Sequence, residues 1–404
     1  MAEAVDAAWI GIDVGKLHHH AVAVDAHGMV LWSKQIRNDQ AAIEQLITTA
    51  SDMARQVRWA VDLTSAYATL LLAVLVAADQ QVLFVPGTMV NRMSGAFAGE
   101  GKTDARDAQV IAETARLRRD LTSLSTPSEL VVELGLLTGH RTDLMADWVR
   151  GVNRLRDLLS RVFPALERAF DYSTRSPLIL VSGYCTPEAI RSAGAGELTE
   201  HLRTAGAHRP SIRGIVTKAV AAVNTQTITL PGEATAAGLI ADQARRLLDL
   251  DRQIKDLDKQ ITNRFRTHPQ ARILESMPGM GPILGAEFLA ITAGDLAAFG
   301  SAARLATYAG LAPVPNDSGR RTGVLHRPLR YHRRLRHVFY MTAFSSLKTD
   351  GPSRQFYRRK RTERQRHTKA MIALARRLVD VVWALLRDNR LWQPDGPPIP
   401  ATAA

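Results

Sequence analysis

Residues 9–16 read WIGIDVGK, a short apolar strand that ends in the carboxylate of Asp13 and a glycine turn. The stretch VRWAVDLTSAY at 57–67 repeats this pattern and places Asp62 at the end of a second apolar strand. An open α/β sheet presents its sites beyond the carboxyl ends of its central strands. These two stretches therefore predict both the fold of the first part of the chain and the position of a site.

The elements around these stretches alternate between strands and helices. Strands are predicted at 9–13, 21–25, 29–36, 57–62 and 82–85, and helices at 39–54, 65–78 and 103–118. Asp39 and Thr103 stand before two of the helices, where their side chains are suited to cap them. Three strands joined by hairpins, followed by alternating helices and strands, are typical of a ribonuclease-H-like α/β domain, which we assign to residues 1–125.

The next region, residues 126–268, is predicted to be helical. A long helix is expected over 128–170, ending near Pro164, and a second helix begins after Gly232. The second helix carries an apolar stripe with alternating steps of three and four, which indicates either a coiled coil or one packed helix of a bundle. The stripe consists of Ile240, Leu247, Leu250, Ile254, Leu257 and Ile261. No element is assigned to 171–230.

Residues 269–390 predict a mainly α C-terminal domain. The sequence MPGMG at 277–281 precedes a helix rich in small residues, a pattern typical of a helix–hairpin–helix, whose turn amides bind backbone phosphate. Gly279 and Gly281 are therefore predicted nucleic-acid contacts. Further helices are expected at 301–311, 328–348 and 365–388, with a polar loop at 312–327. The Pro- and Ala-rich tail at 391–404 is predicted to be disordered.

Charge points to a polyanionic partner. The 404-residue chain carries a net charge of +13, and the segment from Arg320 to Arg377 contains 18 Lys and Arg residues and only two acids. This distribution favours nucleic acid. No apolar run reaches the length of about 18 residues that a membrane-spanning helix needs, so no membrane partner is expected. The single cysteine, Cys185, excludes an intramolecular disulfide and a thiolate zinc cluster. We expect the protein in the cytoplasm, associated with the nucleoid.

Four carboxylates are candidate metal ligands. GKTDARDA at 101–108 places Asp104 and Asp107 three residues apart, on one face of a helix. With Asp13 and Asp62 they predict a Mg²⁺ site for phosphodiester chemistry, since hard cations prefer oxygen ligands. Each acid also has an ordinary interpretation: a turn residue for Asp13, a helix cap for Asp62, and a solvated acidic face for the pair on the helix.

A serine in a basic loop is the candidate nucleophile. Ser318 lies in NDSGRR at 316–321, between an acid and two guanidinium groups. A hydroxyl in this setting can attack phosphorus if a base or a metal ion helps remove its proton, and Arg320 or Arg321 could stabilise charge on the phosphoryl group. An ordinary turn serine is the alternative. The other predicted nucleic-acid contacts are Lys102, Arg330, Arg333 and Arg334.

These motifs together resemble the insertion-sequence transposases related to the Piv DNA invertase. The N-terminal domain of that family resembles RuvC resolvases and carries an acidic tetrad of the Asp-Glu-Asp-Asp type. The matching stretches are GIDVGK at 11–16, VDLTSAY at 61–67, KTDARDA at 102–108, SMPGMGPILGAEFLA at 276–290, FGSAARLATYAGLAPV at 299–314 and NDSGRR at 316–321. The chain departs from the family at Asp62, where Glu is usual, and downstream of the serine at 327–337, where RPLRYHRRLRH lacks the Gly-Asn that the family commonly has before Leu-Arg.

The resemblance implies a mechanism and its partners. Asp13, Asp62, Asp104 and Asp107 would bind Mg²⁺, with Mn²⁺ as an alternative, and Ser318 would form a covalent phosphoserine link to DNA. The substrates would be donor and target double-stranded DNA, selected by a structured noncoding bridge RNA. The protein would act as a homo-oligomer, a dimer or tetramer, with acids and serine from different subunits.

Three other functions stay open. A plain RuvC-like nuclease would use the acids without a covalent intermediate, and a catalytically inactive relative would only bind nucleic acid. An actin-like ATPase or sugar kinase could also begin with GIDVG. However, it needs a second phosphate loop, which we do not find in the sequence, and it leaves the basic C-terminal half unexplained.

Overall fold

The computed structural model describes residues 5–62, 66–95, 103–124, 128–315, 323, 325–326, 328–329 and 331–394. The chain divides into two compact units, Met1–Pro127 and Ser128–Ala404. Within the described residues, no helix is long and apolar enough to cross a membrane.

Unit 1 is built on a mixed sheet. Its strands are β1 Val5–Asp13, β2 His18–Val24, β3 Val30–Arg37, β4 Ala54–Val61, β5 Val82–Phe84 and β6 Thr122–Ser123. Their order is β3-β2-β1-β4-β5-β6, with β4 parallel to β1 and β5 and the other pairs antiparallel. This arrangement is consistent with the predicted RuvC-like fold.

In the part of unit 1 that the structure describes, four α-helices cover the two faces of this sheet. They are α1 Gln40–Met53, α2 Thr69–Ala77, α3 Gly87–Ser94 and α4 Asp104–Leu117. The predicted caps are confirmed: Asp39 accepts a hydrogen bond from the Ala42 amide (2.9 Å), and Thr103 accepts one from the Arg106 amide (3.3 Å). Helix α3 was not predicted, because Pro86-Gly87 indicates a stop to the strand and does not show that a helix follows.

Alternation along β1 divides the core into two layers. Ile10 and Ile12 are buried in one cluster with Ile43 of α1 and Leu71 of α2. Gly11, between them, faces α4 on the other side of the sheet. Because side chains on a strand point to alternate faces, the two layers follow from the sequence WIGID.

Unit 2 is helical. Its helices are α5 Glu129–Val162, α6 Pro164–Ala169, α7 Arg175–Gly183, α8 Pro187–Thr204, α9 Arg209–Val223, α10 Glu233–Arg266, α11 Ala271–Ser276, α12 Pro282–Thr292, α13 Ala302–Tyr308, α14 Arg333–Ser346, α15 Pro352–Thr362 and α16 His367–Arg387. A short antiparallel pair, β7 Val314–Pro315 and β8 Leu325–His326, lies between α13 and α14. Helices α7, α8 and α9 occupy the stretch 171–230 for which the sequence predicted no element.

The two longest helices, α5 and α10, pack antiparallel. Gln243, early in α10, donates to the carbonyl of Gly151 late in α5 (3.3 Å), and further along Arg141 pairs with Asp258 (2.5 Å). The apolar stripe of α10 is mostly buried in the two cores of unit 2. Because this chain covers the stripe itself, the packed-helix interpretation describes it and a separate coiled coil is not needed.

The C-terminal end of α10 shares one core with α11, α12, α14 and α16, in which Phe288 and Phe339 meet edge to face at 6.0 Å. The predicted disordered tail begins too early. Trp392 packs against this core, and its amide donates to Ser276 Oγ (2.9 Å). Residues 395–404 lie outside the described residues.

Helices α11 and α12 lie on either side of the MPGMG turn for which the sequence predicts a helix–hairpin–helix. Gly279 has φ +85°, and a Cβ there would lie 2.2 Å from the carbonyl oxygen of Thr342 in α14. Gly281 has open space around it. The first glycine is therefore required for packing, and the second begins α12.

This contrast gives a paired test of the turn. We expect Gly279→Ala to destabilise the protein by about 2 kcal/mol or more, because the left-handed conformation and the contact with α14 both oppose a methyl group. Gly281→Ala, in the same turn, is the control and should change stability by less than about 1 kcal/mol. Urea unfolding of both variants measures the difference, and equal losses would contradict the assignment.

Candidate active site

The four predicted metal-binding acids lie at one end of the unit 1 sheet. Asp13 is the last residue of β1, and Asp62 directly follows β4, its parallel neighbour. Asp104 and Asp107 occupy the first turn of α4. Two residues before Asp13, Gly11 faces α4, so alternation along the strand turns Asp13 toward the same helix.

Close backbone contact brings α4 to this position. A Cβ on Gly11 would lie 2.2 Å from both the carbonyl oxygen of Ala108 and the amide nitrogen of Ala112. No side chain larger than hydrogen fits between β1 and α4 at this point. Beside this contact, Ala60 of β4 packs with Val110 of α4 in a small apolar cluster. Gly11, the first glycine of GIDVG, therefore sets the distance between β1 and the helix that carries two of the acids.

Two of the acids are near enough for the charge of one to affect the pKa of the other. Burial raises the pKa of the Asp62 carboxyl above its ordinary value, and the negative charge of Asp107 raises this pKa further, although a hydrogen bond from the Asp62 backbone opposes the shift. Asp13, Asp62 and Asp107 are partly buried, whereas Asp104 is exposed. The acids thus line an accessible surface on which negative charge is concentrated.

The described residues contain no group of three or more His, Cys, Asp or Glu side chains placed closely enough to hold a metal ion. The donor set nevertheless suits Mg²⁺. This ion prefers oxygen ligands, and it usually binds through one or two carboxylates together with water and substrate phosphate. Burial is the main cause of the raised pKa of Asp62, and a cation between Asp62 and Asp107 would relieve the additional repulsion from Asp107.

An ion pair that the sequence analysis did not single out fixes the other end of α4. Glu113 is 6% exposed and pairs with Arg116 (2.7 Å). Arg116 also donates to the carbonyl of Ala26 in the turn between β2 and β3 (3.1 Å). The three-residue spacing of Glu113 and Arg116 was visible in the sequence, but their contact with a turn about 90 residues away was not.

Asn38 connects the loops that follow the two acid-bearing strands. Its side-chain amide donates to the carbonyl of Lys16, after Asp13, and to that of Tyr67, after Asp62 (3.2 and 3.3 Å). Its backbone amide donates to the carbonyl of Leu17 (2.9 Å). Asn38 lies 25 residues from Asp13 in sequence, and no local pattern indicated this role.

The predicted nucleic-acid contacts on α14 differ from each other. Arg334 pairs with the nearly buried Glu287 (2.7 Å) and donates to Thr138 Oγ1 (3.1 Å), so its guanidinium connects α14 to α12 and α5. This placement favours a structural role over the predicted contact. Arg333 is exposed and remains available to solvent. The predictions on Lys102, Ser318, Arg320, Arg321 and Arg330 lie outside the described residues.

Several contacts hold the residues that flank the serine segment, which joins β7 to β8. The amide of His332 donates to the Tyr308 carbonyl (2.8 Å), and Arg336 donates to the Gly310 carbonyl (2.9 Å). A Cβ on Gly310, where φ is +66°, would lie 2.5 Å from the ring of Tyr331. Pairing of β7 with β8 brings the two ends of the serine segment together.

The raised pKa of Asp62 predicts the pH dependence of stability. Because the folded state binds this proton more tightly than the unfolded state, the contribution is favourable at low pH and is lost as pH rises through the raised pKa. In metal-free buffer at neutral pH we expect Asp62→Asn to raise Tm by about 1–3 °C. The gain should shrink as the pH falls toward 4.

The exposed acid Asp52, at the end of α1, provides the control, because Asp52→Asn removes the same charge without a burial penalty. Thermal melts over the pH range measure both variants. A neutral-pH loss of stability in Asp62→Asn would contradict the assigned environment.

Removal of the Asn38 side chain should loosen the two loops that it joins. We expect Asn38→Ala to cost about 1–2 kcal/mol for its two hydrogen bonds and to speed amide hydrogen exchange in residues 14–17. Gln40→Ala is the control, because among the described residues the Gln40 side chain bonds only to Glu44 on the surface of α1. Unchanged exchange in Asn38→Ala would show that the loops are held by other contacts.

Two transposase family models match this chain. The transposase model DEDD_Tnp_IS110 matches residues 10–164, and the model described as Transposase IS116/IS110/IS902 family matches residues 271–358. The first range includes all four acids, and the second includes Ser318.

Whole-length relatives come from insertion elements. An uncharacterized 44.8 kDa protein of insertion element IS116 from Streptomyces clavuligerus is 54% identical over 98% of this chain and 99% of that protein. An uncharacterized 42 kDa protein of IS900 from Mycobacterium paratuberculosis is 46% identical over 96% and 97%. An uncharacterized 43.6 kDa protein of IS110 from Streptomyces coelicolor is 33% identical over 95% of each chain. The chain therefore belongs to the IS116/IS110/IS902 family of transposases and is an insertion-element DNA recombinase.

Proposed function

We propose that this transposase cleaves and rejoins DNA in a Mg²⁺-dependent reaction through a covalent link between Ser318 and a DNA phosphate. The observation that carries the proposal is the position of Asp62, directly after β4, beside Asp107 in the first turn of α4, where negative charge is concentrated on an accessible surface. Two neighbouring carboxylates on an accessible surface are suited to share a cation. Asp13 and Asp104, at the same end of the sheet, would complete the ligand set.

The chemistry follows from these residue types. Bound Mg²⁺ would supply positive charge near the scissile phosphate. The Ser318 hydroxyl forms a bond to phosphorus, the bond from phosphorus to one DNA oxygen breaks, and the serine proton is lost as the departing oxygen gains one. In the reverse direction, a hydroxyl of another strand attacks the phosphoserine and releases Ser318. One phosphoester replaces another at each step, so rejoining needs no ATP, and the sequence has no GxxxxGK[ST] phosphate loop.

The partners in this proposal are donor and target double-stranded DNA and a structured noncoding guide RNA. The net charge of +13 supports polyanion binding, and the basic segment between Arg320 and Arg377 is the predicted nucleic-acid surface. The guide RNA and a dimeric or tetrameric state rest on the family resemblance. If RNA pairing selects the sites, the protein reads mainly backbone and shape.

Two alternatives predict different products. A RuvC-like nuclease would use the same acids and release hydrolysed ends with no protein attached. A catalytically inactive relative would bind nucleic acid and leave DNA intact. Neither alternative gives Ser318 a chemical role.

The decisive experiment compares Ser318→Ala with Asp107→Asn on radiolabelled donor DNA in the presence of the element's RNA and Mg²⁺. We expect Ser318→Ala to retain nucleic-acid binding within about twofold and to abolish the covalent protein–DNA adduct. Asp107→Asn should lower adduct formation by about 100-fold or more, since it removes charge stabilisation at the reacting phosphate.

Ser192→Ala is the matched control, because Ser192 is exposed on α8 and its hydroxyl contacts only Glu188 among the described residues. Denaturing gels after protease treatment distinguish adducts from free ends. An adduct that persists in Ser318→Ala would refute the serine assignment, and hydrolysed ends from the wild-type protein would favour the nuclease.

A further inference from the structure

A cavity in unit 2 lies beside the MPGMG turn, between α15, α16 and residues 390–394. Its volume is about 230 Å³, and its floor is formed by Leu374, Leu378 and other apolar residues of α16. Phe356 and Trp392 provide aromatic surface. Together the floor and the two rings make an apolar recess.

Two guanidinium groups also line this cavity. Arg390 is 3.4 Å from Asp388, whereas Arg377 has no carboxylate partner among the described residues and lies 5.2 Å from the ring of Phe356. Arg359 and Lys360 also approach this ring, at 5.2 and 5.7 Å. The cavity therefore combines apolar surface with cationic groups, a combination suited to a ligand that has a flat apolar part and an anionic part.

The basic residues around the cavity indicate which class of ligand it binds. From 352 to 377 the chain carries ten Lys and Arg residues and one acid, Glu363. Glu363 pairs with Lys360 (2.7 Å) and Arg359 (3.8 Å), whereas Arg358 and Arg366 have no carboxylate partner in the described part of the chain. Such a positively charged surface attracts the phosphate backbone of nucleic acid. It gives no advantage to the binding of a neutral small molecule.

We propose that this cavity binds one unstacked nucleotide of a single-stranded DNA or RNA segment. The base stacks on Trp392, and its phosphate contacts Arg377. Bases that have left a helix are commonly held between aromatic side chains and guanidinium planes. A paired base inside a duplex cannot enter, because its edges and faces are covered by its neighbours. The proposal rests on the proposed function, since cleaving and rejoining DNA creates unpaired strands.

Binding of short oligothymidine, oligouridine and a DNA duplex to the full-length protein, measured by fluorescence anisotropy at one fixed salt concentration, tests the proposal. We expect Trp392→Ala and Arg377→Gln each to weaken single-strand binding about tenfold. Trp392→Phe should restore most of the affinity, because it retains an aromatic face. The oligothymidine and oligouridine arms show whether the nucleotide belongs to DNA or RNA.

Arg358→Gln is the matched control. It removes one positive charge from an exposed position on α15 that does not line the cavity. We expect Arg358→Gln and Arg377→Gln to weaken duplex binding by equal factors, because this binding depends mainly on net charge. Equal single-strand losses in these two variants would overturn the proposal.

Photo-crosslinking with 5-iodouracil in the single strand provides a direct readout, with Trp392 as the expected site. Crosslinks that map outside the cavity would overturn the proposal. This is the result expected if residues 395–404 of the chain, and not a nucleotide, occupy the cavity. The same proteins are assayed for the Ser318 adduct. Normal adduct formation with no effect of Trp392→Ala would reject the cavity proposal alone, whereas a Trp392 crosslink without any adduct would reject the serine mechanism alone.

Discussion

The rest of the candidate active site depends on the contact between Gly11 and the backbone of α4. At this point the strand and the helix approach so closely that a methyl group would lie 2.2 Å from two backbone atoms of the helix. Since Asp13 is two residues further along the strand, and Asp104 and Asp107 are in the first turn of the helix, this one approach determines how near the acids can be. At the same end of the sheet, burial and the negative charge of Asp107 both raise the pKa of the Asp62 carboxyl.

Destabilising and stabilising interactions occur together near this end of the sheet. Like charges on neighbouring elements destabilise the folded protein unless a cation or substrate balances them. The structure offsets this with contacts away from the acids: the Glu113–Arg116 pair fixes the far part of α4, and Asn38 joins the two loops. A concentration of carboxylates with a perturbed pKa is typical of functional sites, and it agrees with the transposase family to which the chain belongs.

Unit 2 shows how one helix can serve two cores. The N-terminal half of α10 packs with the helices of residues 171–230, and its C-terminal half packs with α12, α14 and α16. The apolar stripe was visible in the sequence, but its partner was not. A stripe of this period can pack equally well against a helix of another chain or a helix of the same chain. The exposed side of α10 carries charged pairs such as Asp251 with Lys255, which are suited to solvent.

The sequence by itself determined the alternation of strands and helices in unit 1 and the caps of α1 and α4, and it indicated the four candidate acids, because these follow from local periodicity and from the chemistry of each residue. It also indicated the transposase family. Only the tertiary structure decided that Gly11 admits α4, that Arg334 pairs with Glu287, and that Asn38 connects two loops. The physical reason is that these roles depend on partners distant in the chain. A local pattern fixes which way a side chain points, whereas the packing of whole elements fixes what it meets.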